Sequence, residues 1–116
     1  MLKPSYIYKG NVQKVVDGDT IDVLIDLGFK TFVKERLRIA RIDTAELSSK
    51  DPEVIKLALA ARDFLVAHLV GMDVIIVSAK SDKYGRYIAE VMYLDNKVEK
   101  NISDVLLENK LAVPYK

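Results

Sequence analysis

The sequence predicts an all-β barrel with inserted helices (an α+β fold), in which five short strands form a Greek key. Three observations support this prediction. Apolar and polar residues alternate through much of the first third of the chain, which is the period of half-buried strands. One longer stretch, residues 51–69, has apolar residues at helical spacing. Two more strand-like stretches and a short helical one follow it. This order is typical of a small barrel of the OB type.

Three strands are predicted before the long helix, at residues 6–16, 20–27 and 31–42. The dipeptide Asp17-Gly18 predicts a hairpin turn between the first two strands. Alternation in the second strand assigns one face to Ile21, Val23 and Ile25. In the third strand, one face is assigned to Val33, Leu37 and Ile39.

Asp51 and Pro52 predict the start of the first helix, because aspartate caps free N–H groups and proline suits the first turn. Gly71 predicts its end. The apolar face is predicted to comprise Val54, Leu57, Ala58, Ala61, Phe64, Leu65 and Leu69. The wholly apolar residues 74–77 indicate a buried strand, and residues 87–94 a fifth strand. The last predicted elements are a short second helix with Asn101 or Ser103 as its cap, and a tail.

Composition limits the possible functions. The 116 residues fit one domain, 1–116, and the absence of cysteine excludes disulfides, thiolate metal sites and cysteine nucleophiles. The net charge of +1 means that any anion site must be local. No signal peptide or membrane span is recognised. We therefore expect an intracellular protein if the N-terminus is native and a secreted one if a leader was removed.

Three polar stretches supply groups for phosphate chemistry. They are residues 17–20 (Asp-Gly-Asp-Thr), residues 38–46, which begin with arginine and end in Asp-Thr-Ala-Glu, and residues 82–86 (Asp-Lys-Tyr-Gly-Arg). Carboxylates are oxygen ligands for a hard cation, and guanidinium groups match the geometry of a phosphate. Any one stretch alone reads as an ordinary turn or a solvated strand surface.

Together with the ending at residues 111–115, these motifs resemble the staphylococcal nuclease (thermonuclease) family in order and spacing. The resemblance implies an OB-fold barrel that hydrolyses phosphodiester bonds of DNA or RNA with low sequence specificity, within a strand or from its end. It implies calcium as the divalent cation, although magnesium or manganese accepts similar ligands. The implied partner is single-stranded or locally melted DNA or RNA; we expect a monomer and no membrane association.

The resemblance also assigns residues to roles. The implied metal ligands are Asp19, Asp43 and the backbone carbonyl of Thr44, with Asp17 behind them. The implied catalytic residues are Arg38, Glu46 and Arg86, and the implied substrate-binding residues are Lys83, Tyr84 and Tyr115. Ala45 stands where the family usually has proline, which predicts a less rigid loop.

The alternative function is a non-catalytic OB-fold module that binds nucleic acid or protein. Degenerate domains of this kind lack one or more of the acids and arginines, and their presence here favours the enzyme. One geometric condition follows from the enzyme hypothesis. Arg38 and Asp43 are an odd number of residues apart, so they share a site only if the strand bends or ends between them. We expect it to end near Arg41 or Ile42.

Overall fold

The computed structural model describes residues 2–78 and 86–115. Within this part of the chain the elements are β1 (Ile7–Asp17), β2 (Thr20–Gly28), β3 (Thr31–Ile39), β4 (Ile42–Asp43), α1 (Pro52–Leu69), β5 (Asp73–Ser78), β6 (Tyr87–Asp95), β7 (Val98–Asn101), α2 (Ile102–Glu108) and β8 (Val113–Pro114).

Five of the strands close into a barrel. They are hydrogen-bonded in the order β3-β2-β1-β5-β6, and parallel pairing of β3 with β6 joins the two ends of the sheet. β7 continues from β6 as a hairpin, and β4 pairs with β8 in a separate two-stranded ribbon. The predicted OB-type barrel of five strands with two helices is therefore confirmed.

The barrel core follows from alternation along the strands. Ile21, Val23 and Ile25 are all buried on the inner face of β2, as predicted. α1 packs against β1 and contributes four buried residues, Ala58, Ala61, Leu65 and Leu69. Asp51 caps α1 by accepting a hydrogen bond from the backbone N–H of Glu53 at 3.0 Å. Of the two candidate caps for α2, Asn101 is the one that accepts, from the N–H of Ser103 at 2.9 Å.

Several predicted details are wrong. Leu57, assigned to the apolar face of α1, is 55% exposed, because the first part of α1 buries fewer residues than its second half. Residues 74–77 are not wholly buried: Ile75 is 42% exposed on the outer face of β5, while its neighbours Val74 and Ile76 face the core. β7 was not predicted, because its short, polar sequence carries no clear alternation.

No helix among residues 2–78 and 86–115 combines the length and apolarity that crossing a bilayer demands.

Candidate active site

A sharp corner between β3 and β4 brings Arg38 and Asp43 together. β3 ends at Ile39, and Arg41 adopts a left-handed conformation with φ +68° before β4 begins. This turn brings Arg38 Nη2 to 3.4 Å from Asp43 Oδ1 despite their odd separation. The expectation that the strand ends before Asp43 is confirmed, although it ends at Ile39 rather than at Arg41 or Ile42.

Hydrogen bonds from three other elements hold the corner in place. The N–H of Ala40 donates to the carbonyl of Ala89 in β6 at 2.9 Å. The hydroxyl of Ser103 in α2 donates to the carbonyl of Ala40 at 2.7 Å, and Ser103 is fully buried. The N–H of Tyr115, beside β8, donates to the carbonyl of Arg41 at 3.0 Å. Because buried backbone groups need partners, these bonds fix the corner and with it the backbone position of Asp43.

The side chain of Arg41 adds a further tie. Its guanidinium contacts Glu90 at 2.8 Å and Asp104 at 3.0 Å, so it joins β6 to α2. The sequence suggested only a solvated arginine on a strand surface. Arg41 and Ser103 were therefore missed as residues that support the site, since no local pattern reveals partners about 50 or 60 residues away.

The hairpin turn between β1 and β2 supplies the second carboxylate. The N–H of Asp19 donates to Asp17 Oδ1 at 3.1 Å, and the hydroxyl of Thr20 donates to Asp19 Oδ1 at 3.0 Å. Gly18 allows the turn to pack closely, because a Cβ there would lie 2.7 Å from the Cβ of Ala61 and 3.0 Å from Thr44 Oγ1. The turn is thereby seated against both α1 and the loop that follows β4.

The corner and the turn border one polar pocket of about 140 Å³. It is lined by Asp17, Asp19, Arg38, Asp43, Thr44, Ala45, Glu46 and Arg86. Every residue that the sequence assigned to metal binding or catalysis therefore lies around a single cavity. Lys83 and Tyr84, assigned to the substrate, lie outside the described residues.

Arg38 is the centre of this pocket. It is only 4% exposed, and its Nη2 lies 3.5 Å from Asp19 Oδ2 as well as 3.4 Å from Asp43 Oδ1. The ring of Tyr115 stacks on the guanidinium, 4.5 Å from its carbon to the ring centroid, which is within the range of a cation–π contact. Tyr115, the third residue assigned to the substrate, thus lies beside the pocket.

Burial and, after it, the neighbouring Asp17 carboxylate raise the pKa of the Asp19 carboxyl to about 6. The Thr20 hydroxyl and the Arg38 guanidinium act in the opposite direction but are outweighed. The folded protein therefore holds a carboxylate where its charge is disfavoured. Such a site gains from a positive charge supplied from outside the chain.

This pKa predicts how stability depends on pH without metal. The folded state binds the Asp19 proton more tightly than the unfolded state, so stability falls as pH rises from about 4 to about 6, by roughly 3 kcal/mol in total. Asp19→Asn removes that loss. We expect the variant to gain stability relative to the parent across this window, with a plateau above pH 6, in urea unfolding with chelator.

The matched control is Asp22→Asn on the outer face of β2. Its pKa is lowered by Arg36, so the parent loses that interaction as pH falls and the sign is opposite. A free-energy difference between Asp19→Asn and parent that stays constant from pH 4 to pH 7 would contradict the assignment.

The donor set fits a hard, partly hydrated cation. Asp19 and Asp43 both reach the same nitrogen of Arg38, and Thr44 follows Asp43 directly at the pocket wall. Among residues 2–78 and 86–115, no three acids or histidines are grouped as a metal cluster of side chains alone. Two carboxylates and a backbone carbonyl would leave the remaining positions to water or substrate, as calcium and magnesium permit.

Comparison with known proteins agrees with this geometry. The family model described as staphylococcal nuclease homologue matches residues 36–116, which include the β3–β4 corner and everything after it. An uncharacterized protein of Bacillus anthracis is 37% identical over 93 residues, or 78% of this chain. The chain spans about two fifths (41%) of the length of that relative. On the family match, the chain belongs to the staphylococcal nuclease homologues.

Proposed function

We propose that this protein is a metal-dependent nuclease that hydrolyses phosphodiester bonds of DNA or RNA with low sequence specificity. The observation that supports the proposal is the meeting of three aspartates, one glutamate and two arginines around one pocket, in a chain of a nuclease-related family. Hydrolysis of a phosphodiester needs these groups: acids to hold a cation and to orient water, and positive charge for the phosphate.

Asp19, Asp43 and the carbonyl of Thr44 are the residues that would hold the cation, and calcium is the ion we propose. When bound, the cation offsets negative charge on the phosphoryl oxygens. Burial disfavours the ionised form of Asp19, and a cation bound beside it would offset that penalty.

The arginines supply the protein's own positive charge. Arg38 is held by two carboxylates and by the ring of Tyr115, so its fork is fixed before a phosphate arrives. Arg86, the residue before β6, is exposed at the pocket wall and carries the second guanidinium fork. Planar guanidinium groups bind two phosphate oxygens at once, and this pairing strengthens as charge develops in the transition state.

Glu46 is the acid assigned to the attacking water. It lies at the pocket wall and is exposed, with the Ser48 hydroxyl 3.5 Å from Oε2. From there its carboxylate orients a water molecule toward the phosphorus or accepts its proton. Tyr115 offers an aromatic face beside Arg38 for a base of single-stranded or locally melted nucleic acid.

The second candidate is a non-catalytic module that binds nucleic acid on the same fold. It requires only a positive surface and aromatic rings. The completeness of the acidic set favours the enzyme, because a binding module gains nothing from carboxylates that face a phosphate and repel it.

The deciding experiment is a cleavage assay on single-stranded DNA and RNA oligonucleotides with calcium, magnesium or manganese, each repeated with excess chelator. We expect cleavage with metal, strongest with calcium, and none with chelator. Binding of the oligonucleotides without cleavage under any metal condition would favour the non-catalytic module.

Arg86→Lys tests the role of the second fork. The substitution keeps the charge but removes bidentate pairing, so we expect kcat to fall about tenfold or more. Arg36→Lys, in the surface ion pair with Asp22, is the matched control and should leave kcat unchanged. An effect of Arg86→Lys on KM alone would make Arg86 a ground-state clamp instead.

A further inference from the structure

A second cavity opens through the barrel wall on the opposite side of β3 from the candidate active site. Its volume is about 320 Å³. The residues that matter for its chemistry are Tyr8, Ile25, Val33, Glu35, Leu37 and Tyr87.

The cavity exists because β3 extends beyond β6. Parallel pairing between them covers only Leu37–Ile39 with Tyr87–Ala89, whereas β3 begins at Thr31. The first six residues of β3 therefore have β2 on one side and no pairing with β6 on the other. Within the described residues, no other strand pairs with this edge of β3, and the cavity lies beside it.

Glu35 makes the cavity chemically unusual. In β3 it occupies the inner-face series with Val33 and Leu37, and it pairs across the sheet with Val23, which is almost completely buried. No hydrogen bond or ion pair joins its carboxylate to another residue within ranges 2–78 and 86–115, whereas its neighbour Arg36 pairs with Asp22 on the outer face. A carboxylate next to an apolar wall favours a ligand that brings a hydrogen-bond donor.

The cavity and the candidate active site are neighbours through the strands that separate them. Leu37 lines the cavity and the next residue, Arg38, lines the active-site pocket. In the same way, Tyr87 lines the cavity and Arg86 lines the pocket. The two sites therefore meet at two pairs of consecutive residues, and Leu37 and Arg38 point to opposite faces of β3.

We propose that this cavity binds a base of the nucleic-acid strand whose phosphate lies in the active-site pocket, and that it prefers a base with an exocyclic amino group (cytosine, adenine or guanine) to thymine or uracil. The inference rests on the proposed nuclease function and adds a sequence preference near the cleaved bond to it.

The chemistry of the walls selects such a base. Tyr87 is 53% exposed and, with Tyr8, offers aromatic surface on which a base stacks. A carboxylate such as that of Glu35 accepts hydrogen bonds, so it pairs with the amino group of cytosine, adenine or guanine. Thymine and uracil present a carbonyl oxygen at the corresponding position, and two acceptors repel each other.

The test uses oligothymidylates that carry a single cytosine or adenine, compared with the all-thymidine strand. With the parent protein and calcium, we expect cleavage within a few nucleotides of the substituted base to be about tenfold faster than cleavage of the all-thymidine strand, the size of one good pair to a base edge. In Glu35→Gln the amide both donates and accepts, so the preference should fall to about twofold or less while cleavage of the all-thymidine strand is unchanged.

Glu99→Gln, on the exposed β7 strand, is the matched control and should keep the full preference. Binding of the same strands to a catalytically inactive Glu46→Ala variant, measured by fluorescence anisotropy with calcium, separates the two proposals. If the parent cleaves no strand, the nuclease proposal fails. The base preference is then tested by binding alone. It is supported if Glu46→Ala binds strands with cytosine or adenine more tightly than the all-thymidine strand and the double variant with Glu35→Gln does not. Any other result contradicts it.

Equal cleavage of all strands by the parent overturns the inference, and so does a preference that survives in Glu35→Gln. Tyr87→Leu provides an independent check, because removing the aromatic face should weaken binding of cytosine-containing strands several-fold. Unchanged binding in Tyr87→Leu would exclude the cavity as the place where the base lies.

Discussion

Asp43→Ala is expected to reduce cleavage by at least about a thousandfold, because it removes both a proposed cation ligand and a partner of Arg38. The corner fixes the backbone of Asp43 at the pocket wall, and Asp19 and Glu46 reach the pocket from other segments of the chain. The cation would then have one carboxylate where it had two, and Arg38 would lose one of its two contacts.

The fold should survive this substitution. The Asp43 side chain is 52% exposed and its recorded contact is the long one to Arg38 at 3.4 Å. The backbone of Asp43 still pairs with Val113, so β4 and β8 remain joined. We expect unchanged circular dichroism and a change in unfolding free energy of about 1 kcal/mol or less. Cleavage and circular dichroism should be measured on the same preparation.

Asp22→Ala is the matched control. Asp22, like Asp43, is a strand aspartate that forms an ion pair with an arginine. Its partner Arg36 lies on the outer face of the barrel, away from the pocket. It should cleave at the rate of the parent. An Asp43→Ala protein that is folded and cleaves within tenfold of the parent would remove Asp43 from the proposed metal site.

The barrel could be predicted because its determinants are local. The alternation in β2, the Asp17-Gly18 turn and the Asp51 cap each act through residues close in sequence. A prediction from such patterns fails where burial depends on the rest of the fold. Ile75 belongs to an apolar run, but the barrel has only one inner face, so it is left exposed.

The site residues were recognised by type and spacing, whereas their geometry was not predictable. The left-handed conformation of Arg41 is unfavourable for a residue with a side chain, and it persists because tertiary partners hold the corner. Those partners, Ala89, Ser103 and Tyr115, lie some 50 to 75 residues further along the chain. Only the closed barrel brings them to the corner. The place of Glu35 at the wall of the second cavity could not be predicted either, because it depends on where β6 begins to pair with β3.

Calcium is expected to raise the melting temperature by roughly ten degrees at a concentration one hundred times its dissociation constant. A ligand that binds only the folded state stabilises it by about 2.7 kcal/mol at that concentration. For a domain of this size, each kcal/mol of added unfolding free energy raises the melting temperature by roughly 4 °C. The rise should be saturable when ionic strength is held constant, because screening by added salt does not saturate at a single site.

The same pocket predicts which variants lose this response. Asp19→Asn keeps the shape of the side chain but removes the charge whose burial raises its pKa to about 6. It should therefore be more stable than the parent at pH 7 without metal and gain little from calcium. Asp22→Asn should respond to calcium as the parent does, since Asp22 lies outside the pocket.

In the parent the response should also weaken below pH 6, where a proton competes with the cation for Asp19. A parent that does not respond to calcium at pH 7, together with an Asp19→Asn variant less stable than the parent in chelator, would make these carboxylates structural partners of Arg38. The cation would then have no part in the pocket.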